Sequence, residues 1–151
     1  MDKILIGDEK PLKILLAEDN KVNQVLTLGL LSCLGYRSDL AENGKAAVEA
    51  SENKAYDLIL MDCQLPVLDG FQAATIIRKR QPVLPIIVAY SANVLSTQRE
   101  RCEEAGMQFV LSKPITLESL SNLTSMVFDL IQRQDLTSKL SRFQEGPPPS
   151  L

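Results

Sequence analysis

A short apolar run that ends in an acid constrains this chain more than any other feature. Residues 58–61 are Leu, Ile, Leu and Met, the length and composition of a strand buried on both faces of a sheet. Asp62 follows at once, and then Pro66 and the pair Asp69 and Gly70 favour a loop, because proline lacks an N–H donor and Asp-Gly favours a turn. Open α/β sheets place their active sites where a strand delivers a side chain to such a loop. Asp62 is therefore the first candidate for a functional residue.

The size and charge of the chain limit the classes of protein it can belong to. Its 151 residues suit one domain with a substantial core, and 45% hydrophobic with 23% charged residues is an ordinary globular composition. The formal net charge is −3, without long runs of one sign. The nearest basic cluster is Arg78, Lys79 and Arg80 at the end of a predicted helix, where cations compensate the helix dipole on a solvated surface. We therefore expect no direct binding to DNA.

The cysteines and apolar segments indicate a cytoplasmic location. Cys33, Cys63 and Cys102 are odd in number and widely spaced, which disfavours a disulfide scaffold, and the absence of histidine excludes a Cys/His zinc site. The N-terminal residues carry charges too close to their apolar neighbours for a signal peptide. No apolar run reaches the roughly 18–20 residues that a membrane helix needs. We expect a cytoplasmic protein without membrane insertion.

Short apolar runs and helical patterns alternate along the chain. The apolar runs predict strands at residues 12–17, 37–41, 58–61, 86–90 and 109–111. A first helix is predicted between Asn20 and Gly35, and others at residues 45–53, 71–80, 94–105 and 116–134. This alternation predicts an α/β fold, a doubly wound five-stranded parallel sheet of order 2-1-3-4-5 with five helices, flavodoxin-like.

The two ends of the chain are predicted to lie outside this domain, which covers residues 11–134. Residues 1–10 are mixed and polar, as in a leader or linker, with a strand-like segment at residues 4–6. Residues 135–151 include a glycine and three consecutive prolines and are predicted to form a flexible, Pro-rich tail.

Two of the predicted helices differ in what they can bury. The first helix repeats apolar or small residues at helical spacing, and these are expected to form its buried face: Val22, Val25, Leu26, Gly29, Leu30 and Cys33. The helix at residues 94–105 is mostly polar, and can bury only Val94, Leu95, Cys102 and Ala105.

Polar side chains stand at the carboxyl ends of four predicted strands. Glu18 and Asp19 follow the first strand, Asp62 the third, Ser91 the fourth and Lys113 the fifth. Because the first and third strands are neighbours in the predicted order, three carboxylates share one crevice, with a hydroxyl and an ammonium beside it. Oxygen ligands without histidine or thiolate favour Mg²⁺. A carboxylate on such a metal can attack a phosphoryl group, whose oxygens the ammonium and hydroxyl can bind.

The residues around these positions form four motifs that occur together. They are Glu18, Asp19 and Asn20 with Asn23 and Gln24; residues 61–66 (Met-Asp-Cys-Gln-Leu-Pro) with Asp69 and Gly70; Ser91, Ala92 and Asn93; and residues 111–115 (Leu-Ser-Lys-Pro-Ile). In combination they resemble the receiver domain of two-component response regulators, and the residues of the motifs are closest to those in the receivers of hybrid sensor kinases. The resemblance covers residues 12–134.

The resemblance implies a phosphoacceptor. Asp62 would accept a phosphoryl group from a phosphohistidine on a histidine kinase or a histidine-containing phosphotransfer domain. Ser91 would hydrogen-bond that group and Lys113 would pair with it. The Lys113–Pro114 peptide bond would be cis.

The resemblance also implies a Mg²⁺ site. Asp19 would bind the metal directly, together with Asp62, and Glu18 would act largely through the metal's waters. The backbone carbonyl of Gln64 would be a third protein ligand.

One position departs from the pattern of the family. Members commonly carry Tyr or Phe three residues before the lysine, where this chain has Val110. The neighbouring Phe109 is expected to point to the opposite face of its strand. An aromatic readout of phosphorylation is therefore not expected, and the change should travel through the backbone around residues 91–95.

Two other functions compete with this interpretation. A Mg²⁺-dependent phosphatase also uses a strand-end aspartate, but it needs a second acid two residues later, where Gln64 cannot donate a proton. A receiver that is never phosphorylated and serves only as a protein-binding surface is the other alternative. The residues favour a signalling module over an enzyme, and both a stand-alone regulator and a part of a larger hybrid kinase stay open.

Overall fold

A five-stranded parallel sheet forms the centre of the computed structural model, which describes residues 5–91 and 96–133. The strands are β1 (Ile14–Ala17), β2 (Ser38–Ala41), β3 (Leu58–Asp62), β4 (Ile86–Ser91) and β5 (Phe109–Ser112). Their order across the sheet is β2-β1-β3-β4-β5, and all pairs are parallel. The predicted fold class and strand order are confirmed.

The part of the chain that the structure describes contains six helices, one more than expected. They are α1 (Ile6–Glu9), α2 (Lys21–Cys33), α3 (Gly44–Asn53), α4 (Gly70–Arg80), α5 (Ser96–Glu104) and α6 (Leu117–Gln132). None of these helices is long and apolar enough to cross a membrane. The predicted tail and the side chains of Val94 and Leu95 lie outside the described residues.

The sheet separates two apolar cores because successive side chains of each strand point to opposite faces. Helices α2 and α6 cover one face, and α3, α4 and α5 cover the other. Phe109 belongs to the core beneath α2 and α6, and Val110 to the core beneath α3, α4 and α5. The predicted alternation of these two residues is therefore confirmed. Strands buried on both faces explain the nearly continuous apolar runs in the sequence.

The expectation of a strand-like segment at residues 4–6 is wrong for its described part, because Leu5 is not in a strand and Ile6 begins helix α1. The backbone N–H of Gly7 donates to the carbonyl of Leu34 at 2.7 Å, and a Cβ on Gly7 would overlap with the backbone of Gly35. Just after α1, the ammonium of Lys10 lies 3.0 Å from a carboxylate oxygen of Asp129 on α6. This segment therefore packs against the domain by contacts distant in sequence.

The predicted buried face of α2 is also wrong. Five of its six members are exposed: Val22, Val25, Leu26, Gly29 and Cys33. The exposed fractions of the first three are 74%, 75% and 47%. Gln24 and Thr27 are buried instead, since the Gln24 amide donates to the carbonyl of Glu18 at 2.7 Å and the Thr27 hydroxyl lies 3.3 Å from that of Tyr90. Polar groups at the strand ends satisfy these two side chains, so the side of the helix that carries Gln24, Thr27 and Leu31 faces inward.

The described side chains of helix α5 contribute little to the core. Among its described residues and the one that follows, the buried side chains are Cys102 and Ala105. On its α4 side, the guanidinium of Arg101 lies 4.1 Å from the ring centroid of Phe71 and 3.8 Å from a carboxylate oxygen of Asp69. The expectation of a mostly polar helix with a small buried side is confirmed for its described part.

The basic run at the end of α4 is not uniformly solvated. Arg78 is half-buried, and its guanidinium donates to the carbonyls of Gly106 and Pro85 at 3.0 and 2.7 Å. Arg80 is exposed and pairs with Glu52. One of the three cations therefore holds loops together, and the expectation that this chain binds no DNA stays a prediction.

Candidate functional site

The strand ends bring the predicted site residues to one edge of the sheet. Glu18 directly follows β1, Asp62 ends β3, Ser91 ends β4 and Lys113 directly follows β5. The Lys113 N–H donates to the Ser91 carbonyl at 2.9 Å, which ties the last two strands together at this edge. Ser91 is itself buried.

Three carboxylates form an acidic cluster at this edge. One oxygen each of Glu18, Asp19 and Asp62 lies within 4.8 Å of the others. Glu18 and Asp62 are buried, whereas Asp19 is exposed. Both oxygens of Glu18 already accept hydrogen bonds, from the Tyr90 hydroxyl at 2.7 Å and from the Asn20 N–H at 3.1 Å. Asp19 is therefore the carboxylate most open to a ligand from solvent.

Lys113 is the cation that faces this cluster. Its ammonium lies 3.1 Å from Oδ2 of Asp62 and 3.3 Å from Oε1 of Glu18. The same ammonium lies 4.4 Å from the ring centroid of Tyr90. The peptide bond from Lys113 to Pro114 is cis, as the family resemblance implies.

The loop after Asp62 folds back against the end of β3. The Gln64 N–H donates to Oδ1 of Asp62 at 3.0 Å, and the Gly70 N–H donates to the carbonyl of Cys63 at 3.1 Å. A Cβ on Gly70 would overlap with the carbonyl of Asp62, so this close approach requires glycine. The loop thus fixes one carboxylate oxygen of Asp62, and Lys113 faces the other.

The pKa values of the two buried carboxyls, Asp62 and Glu18, are shifted in opposite directions. Burial raises the pKa of Asp62 to about 6, and Glu18 adds to the rise, while the bonds from Gln64 and Lys113 oppose it. Burial also favours a higher pKa for Glu18, but the hydrogen bonds from Tyr90 and Asn20 outweigh it and hold that pKa below its usual value. The first proton taken up by this pair therefore goes to Asp62.

Tyr90 touches two of the site residues and was not among the residues predicted from the sequence. Its hydroxyl donates to Glu18, its ring lies beneath the Lys113 ammonium, and its side chain is 1% exposed. A tyrosine directly after four aliphatic residues of a buried strand was the available signal, because a buried phenol hydroxyl almost always has a hydrogen-bond partner. The partner itself lies on a distant strand end and could not be read from the sequence.

Comparisons with known proteins agree with this arrangement. The family model described as "Response regulator receiver domain" matches residues 14–125. Hybrid signal transduction histidine kinase K of Dictyostelium discoideum is 37% identical over 129 residues, which are 80% of this chain and 11% of that kinase. The chain thus spans about a tenth of the length of this relative.

Solved structures with similar folds include receiver domains. One is the receiver domain of a sensor histidine kinase from Pseudomonas aeruginosa PAO1 with magnesium ion coordinated in the active site cleft; it is 42% identical, with a TM-score of 0.71, and the match covers 78% of this chain and 98% of that one. Another match is to the co-crystal structure of the Saccharomyces cerevisiae histidine phosphotransfer signaling protein Ypd1 with the receiver domain of its downstream response regulator Ssk1 (30% identity, TM-score 0.71, 79% of this chain and 90% of that one). With the family model matching most of its length, this chain belongs to the response regulator receiver domain family.

Proposed function

We propose that this chain is the phosphoacceptor module of a phosphorelay and that Asp62 takes the phosphoryl group. The observation that carries the proposal is the buried Asp62 carboxylate, with Lys113 on one oxygen and two further carboxylates within 4.8 Å. In the transfer, a carboxylate oxygen forms a bond to phosphorus as the P–N bond to a phosphohistidine breaks, and the imidazole keeps the electron pair. The chain is then the acceptor in its partner's reaction rather than an enzyme with a separate substrate.

Lys113 and Ser91 are proposed to hold the phosphoryl group once it has arrived. Phosphoryl transfer depends mainly on positioning and on neutralising charge on the peripheral oxygens. Lys113 is the nearest cation to Asp62 among the described residues, and Ser91 is a buried hydroxyl side chain on the neighbouring strand. A cytoplasmic location is part of the proposal, supported by three free cysteines.

The acidic cluster fits a Mg²⁺ ion. Its donors are hard carboxylate oxygens, and the chain has no histidine that would favour zinc. Asp19 and Asp62 would hold the ion directly, with the backbone carbonyl of Gln64, while Glu18 would act through bound water because its oxygens already accept hydrogen bonds. When bound, the ion supplies positive charge against the carboxylates and the phosphoryl oxygens.

The proposal is tested with a phosphodonor that needs no partner. The chain is mixed with acetyl phosphate and Mg²⁺ and weighed intact by mass spectrometry. We expect a gain of one phosphate, which disappears when EDTA removes the metal. A chain that gains none in Mg²⁺, while a known receiver is labelled in parallel, would show that the phosphoacceptor function is wrong.

Removing Asp19 is expected to weaken Mg²⁺ binding more than removing Glu18. Asp19→Asn takes away an exposed carboxylate that would touch the ion, and the loss should be on the order of tenfold or more in affinity. Glu18→Gln removes a charge that would act through water, so its loss should be smaller. Titration calorimetry measures both affinities, and a larger loss for Glu18→Gln would reverse the two roles.

The histidine donor is proposed to dock on α2. The side chains of Val22, Val25 and Leu26 form an exposed apolar patch on this helix. Contiguous apolar patches on a protein surface often mark a binding site. Leu26 and Lys113 also line one open cavity of about 280 Å³, so this face is continuous with the acidic site. A phosphohistidine must come within bonding distance of Asp62, and its carrier therefore has to cover this rim. We take the occupant to be a histidine-containing phosphotransfer domain or the equivalent part of a kinase.

Changing this surface should slow transfer from a protein donor but not from a small one. Leu26→Ser is expected to lower the rate of transfer from a phosphorylated histidine-containing phosphotransfer domain by about tenfold, the effect of losing a central apolar contact. The rate with acetyl phosphate should stay within about twofold, since the cavity that Leu26 lines does not include Asp62. Rapid-quench assays with the fastest donor from a panel of phosphotransfer domains measure both rates.

Val83→Ser is the matched control, because Val83 is also partly exposed (38%) and lies between α4 and β4, away from the strand ends that carry the site. It should change neither rate. Equal slowing of both donors by Leu26→Ser, or no slowing with the protein donor, would contradict docking on α2.

A further inference from the structure

The Tyr90 hydroxyl links strand β4 to two groups from other parts of the fold. That hydroxyl donates to Oε1 of Glu18 at 2.7 Å and lies 3.3 Å from Oγ1 of Thr27, which is on α2. A phenol has one hydrogen to donate, so Thr27 must be the donor in the second bond. The result is an ordered chain of hydrogen bonds from α2 through Tyr90 to the buried carboxylate of Glu18. All three side chains are almost fully buried.

The ring of Tyr90 makes a second contact with the site. The Lys113 ammonium lies 4.4 Å from the ring centroid, within the range of cation–π attraction. The same ammonium stands between Oδ2 of Asp62 at 3.1 Å and Oε1 of Glu18 at 3.3 Å. Tyr90 therefore touches the cation itself and one of the two carboxylates, Glu18, that compete for its position.

Whether Lys113 stays beside Asp62 or moves toward Glu18 depends on whether Oε1 of Glu18 has a hydrogen-bond donor of its own. Glu18 is completely buried and charged, and a buried carboxylate oxygen without a donor is strongly unfavourable. With the Tyr90 hydroxyl present, Oε1 is satisfied and Lys113 can stay beside Asp62. Without that hydroxyl, Lys113 is the close donor left for Oε1 and would be drawn toward Glu18.

We propose that Tyr90 is a positioning residue for phosphoryl transfer, which keeps Lys113 beside Asp62 by satisfying Glu18 and by supporting the ammonium with its ring. Tyr90 does not touch the phosphoryl group and acts through Lys113. The inference rests on the proposed function of Asp62, and concerns how this particular chain orders that site.

Tyr90→Phe removes the hydroxyl and keeps the ring, so it isolates the first of these contacts. We expect the initial rate of phosphorylation by acetyl phosphate at saturating Mg²⁺ to fall by about tenfold, the effect of one hydrogen bond to a charged group. Tyr56→Phe is the matched control, because it removes a tyrosine hydroxyl that donates to another carboxylate, Asp39, at 2.6 Å. That variant should keep its rate.

A double-mutant cycle shows whether the effect runs through Lys113. In a Lys113→Ala background, Tyr90→Phe should change the remaining rate by less than about twofold, because the cation that it positions is gone. An undiminished tenfold effect in that background would overturn the proposal, as would a normal rate for Tyr90→Phe alone. Circular dichroism melting of each variant confirms that the rates are compared on folded protein.

A spectroscopic readout is independent of phosphorylation. The chain has three tyrosines and no tryptophan, and the hydroxyls of Tyr36 and Tyr56 bond to Lys10 and Asp39, outside the acidic cluster. We expect Mg²⁺ to change tyrosine fluorescence in the natural chain and in Tyr56→Phe, and to cause no change in Tyr90→Phe. A change that survives in Tyr90→Phe would overturn the link between Tyr90 and the site. If the natural chain shows this change but gains no phosphate, the phosphoacceptor function fails while the placement of Tyr90 stands.

Discussion

Asp62→Asn is expected to gain no phosphate from acetyl phosphate and Mg²⁺ under conditions in which the natural chain gains one. The amide has nearly the same size as the carboxylate and can still accept the hydrogen bond from the Gln64 N–H. It lacks the charge needed to attack phosphorus and to bind the metal. The loss should therefore be complete and should not come from unfolding. Intact mass spectrometry after a fixed incubation measures it.

Asp57→Asn serves as the control for this loss. Asp57 lies just before the opposite end of the same strand, where its carboxylate accepts the Lys13 N–H at 2.8 Å. It should be labelled as fully as the natural chain. Labelling of Asp62→Asn to the same extent would show that the acceptor is another residue.

The same substitution, Asp62→Asn, is expected to stabilise the folded protein at pH 7–8 in the absence of Mg²⁺. Burial raises the pKa of Asp62 from 3.8 to about 6 in the folded state, so the folded protein holds a proton there more tightly than the unfolded chain. The stability from this group is present below about pH 4 and is lost as the pH rises through about 6. That loss amounts to roughly 2–3 kcal/mol, and the amide avoids it. We expect a net gain of about 1–2 kcal/mol, since the ion pair with Lys113 is lost as well.

Urea unfolding at several pH values, with EDTA present, measures this difference. The advantage of Asp62→Asn should be largest above pH 7 and should shrink as the pH falls below about 6, where the natural carboxyl takes up a proton. Added Mg²⁺ should stabilise the natural chain and leave the variant nearly unchanged, because ligand binding to the folded state adds stability. A variant less stable than the natural chain at pH 8 would contradict the pKa on which this prediction rests.

The sequence was sufficient for the sheet and for the position of its site. Strands buried on both faces leave continuous apolar runs, and a single crossover pattern then brings the ends of β1 and β3 together. Glu18, Asp62 and Lys113 follow from that topology alone, because each stands where its strand ends.

The errors share a physical cause, which is that each depends on contacts between residues distant in sequence. Periodicity in α2 cannot show that groups at the strand ends satisfy Gln24 and Thr27, which lets these polar side chains be buried on the same side as Leu31. Helix α1 is four residues long, too short for any periodicity, and is held by the contact of Gly7 with the turn at Gly35. The hydroxyl of Tyr90 finds its partner on another strand.

The sparse attachment of α5 has a consequence for how a change at Asp62 leaves the domain. Between Gln98 and Ala105 only two small side chains are buried, and a helix with so little buried side-chain area opens locally at little free energy, so its amides should exchange with solvent well before those of the central strands. Ser91 ends β4, the strand next to the one that carries Asp62, and α5 begins only a few residues later in the sequence. Val110 fills the core beside α5 with a stiff, branched side chain, so no ring there has to rotate. An element that follows the reacting edge by only a few residues is thus also one of the easiest to displace, and a shift in the balance of its open and closed forms can carry the signal outward.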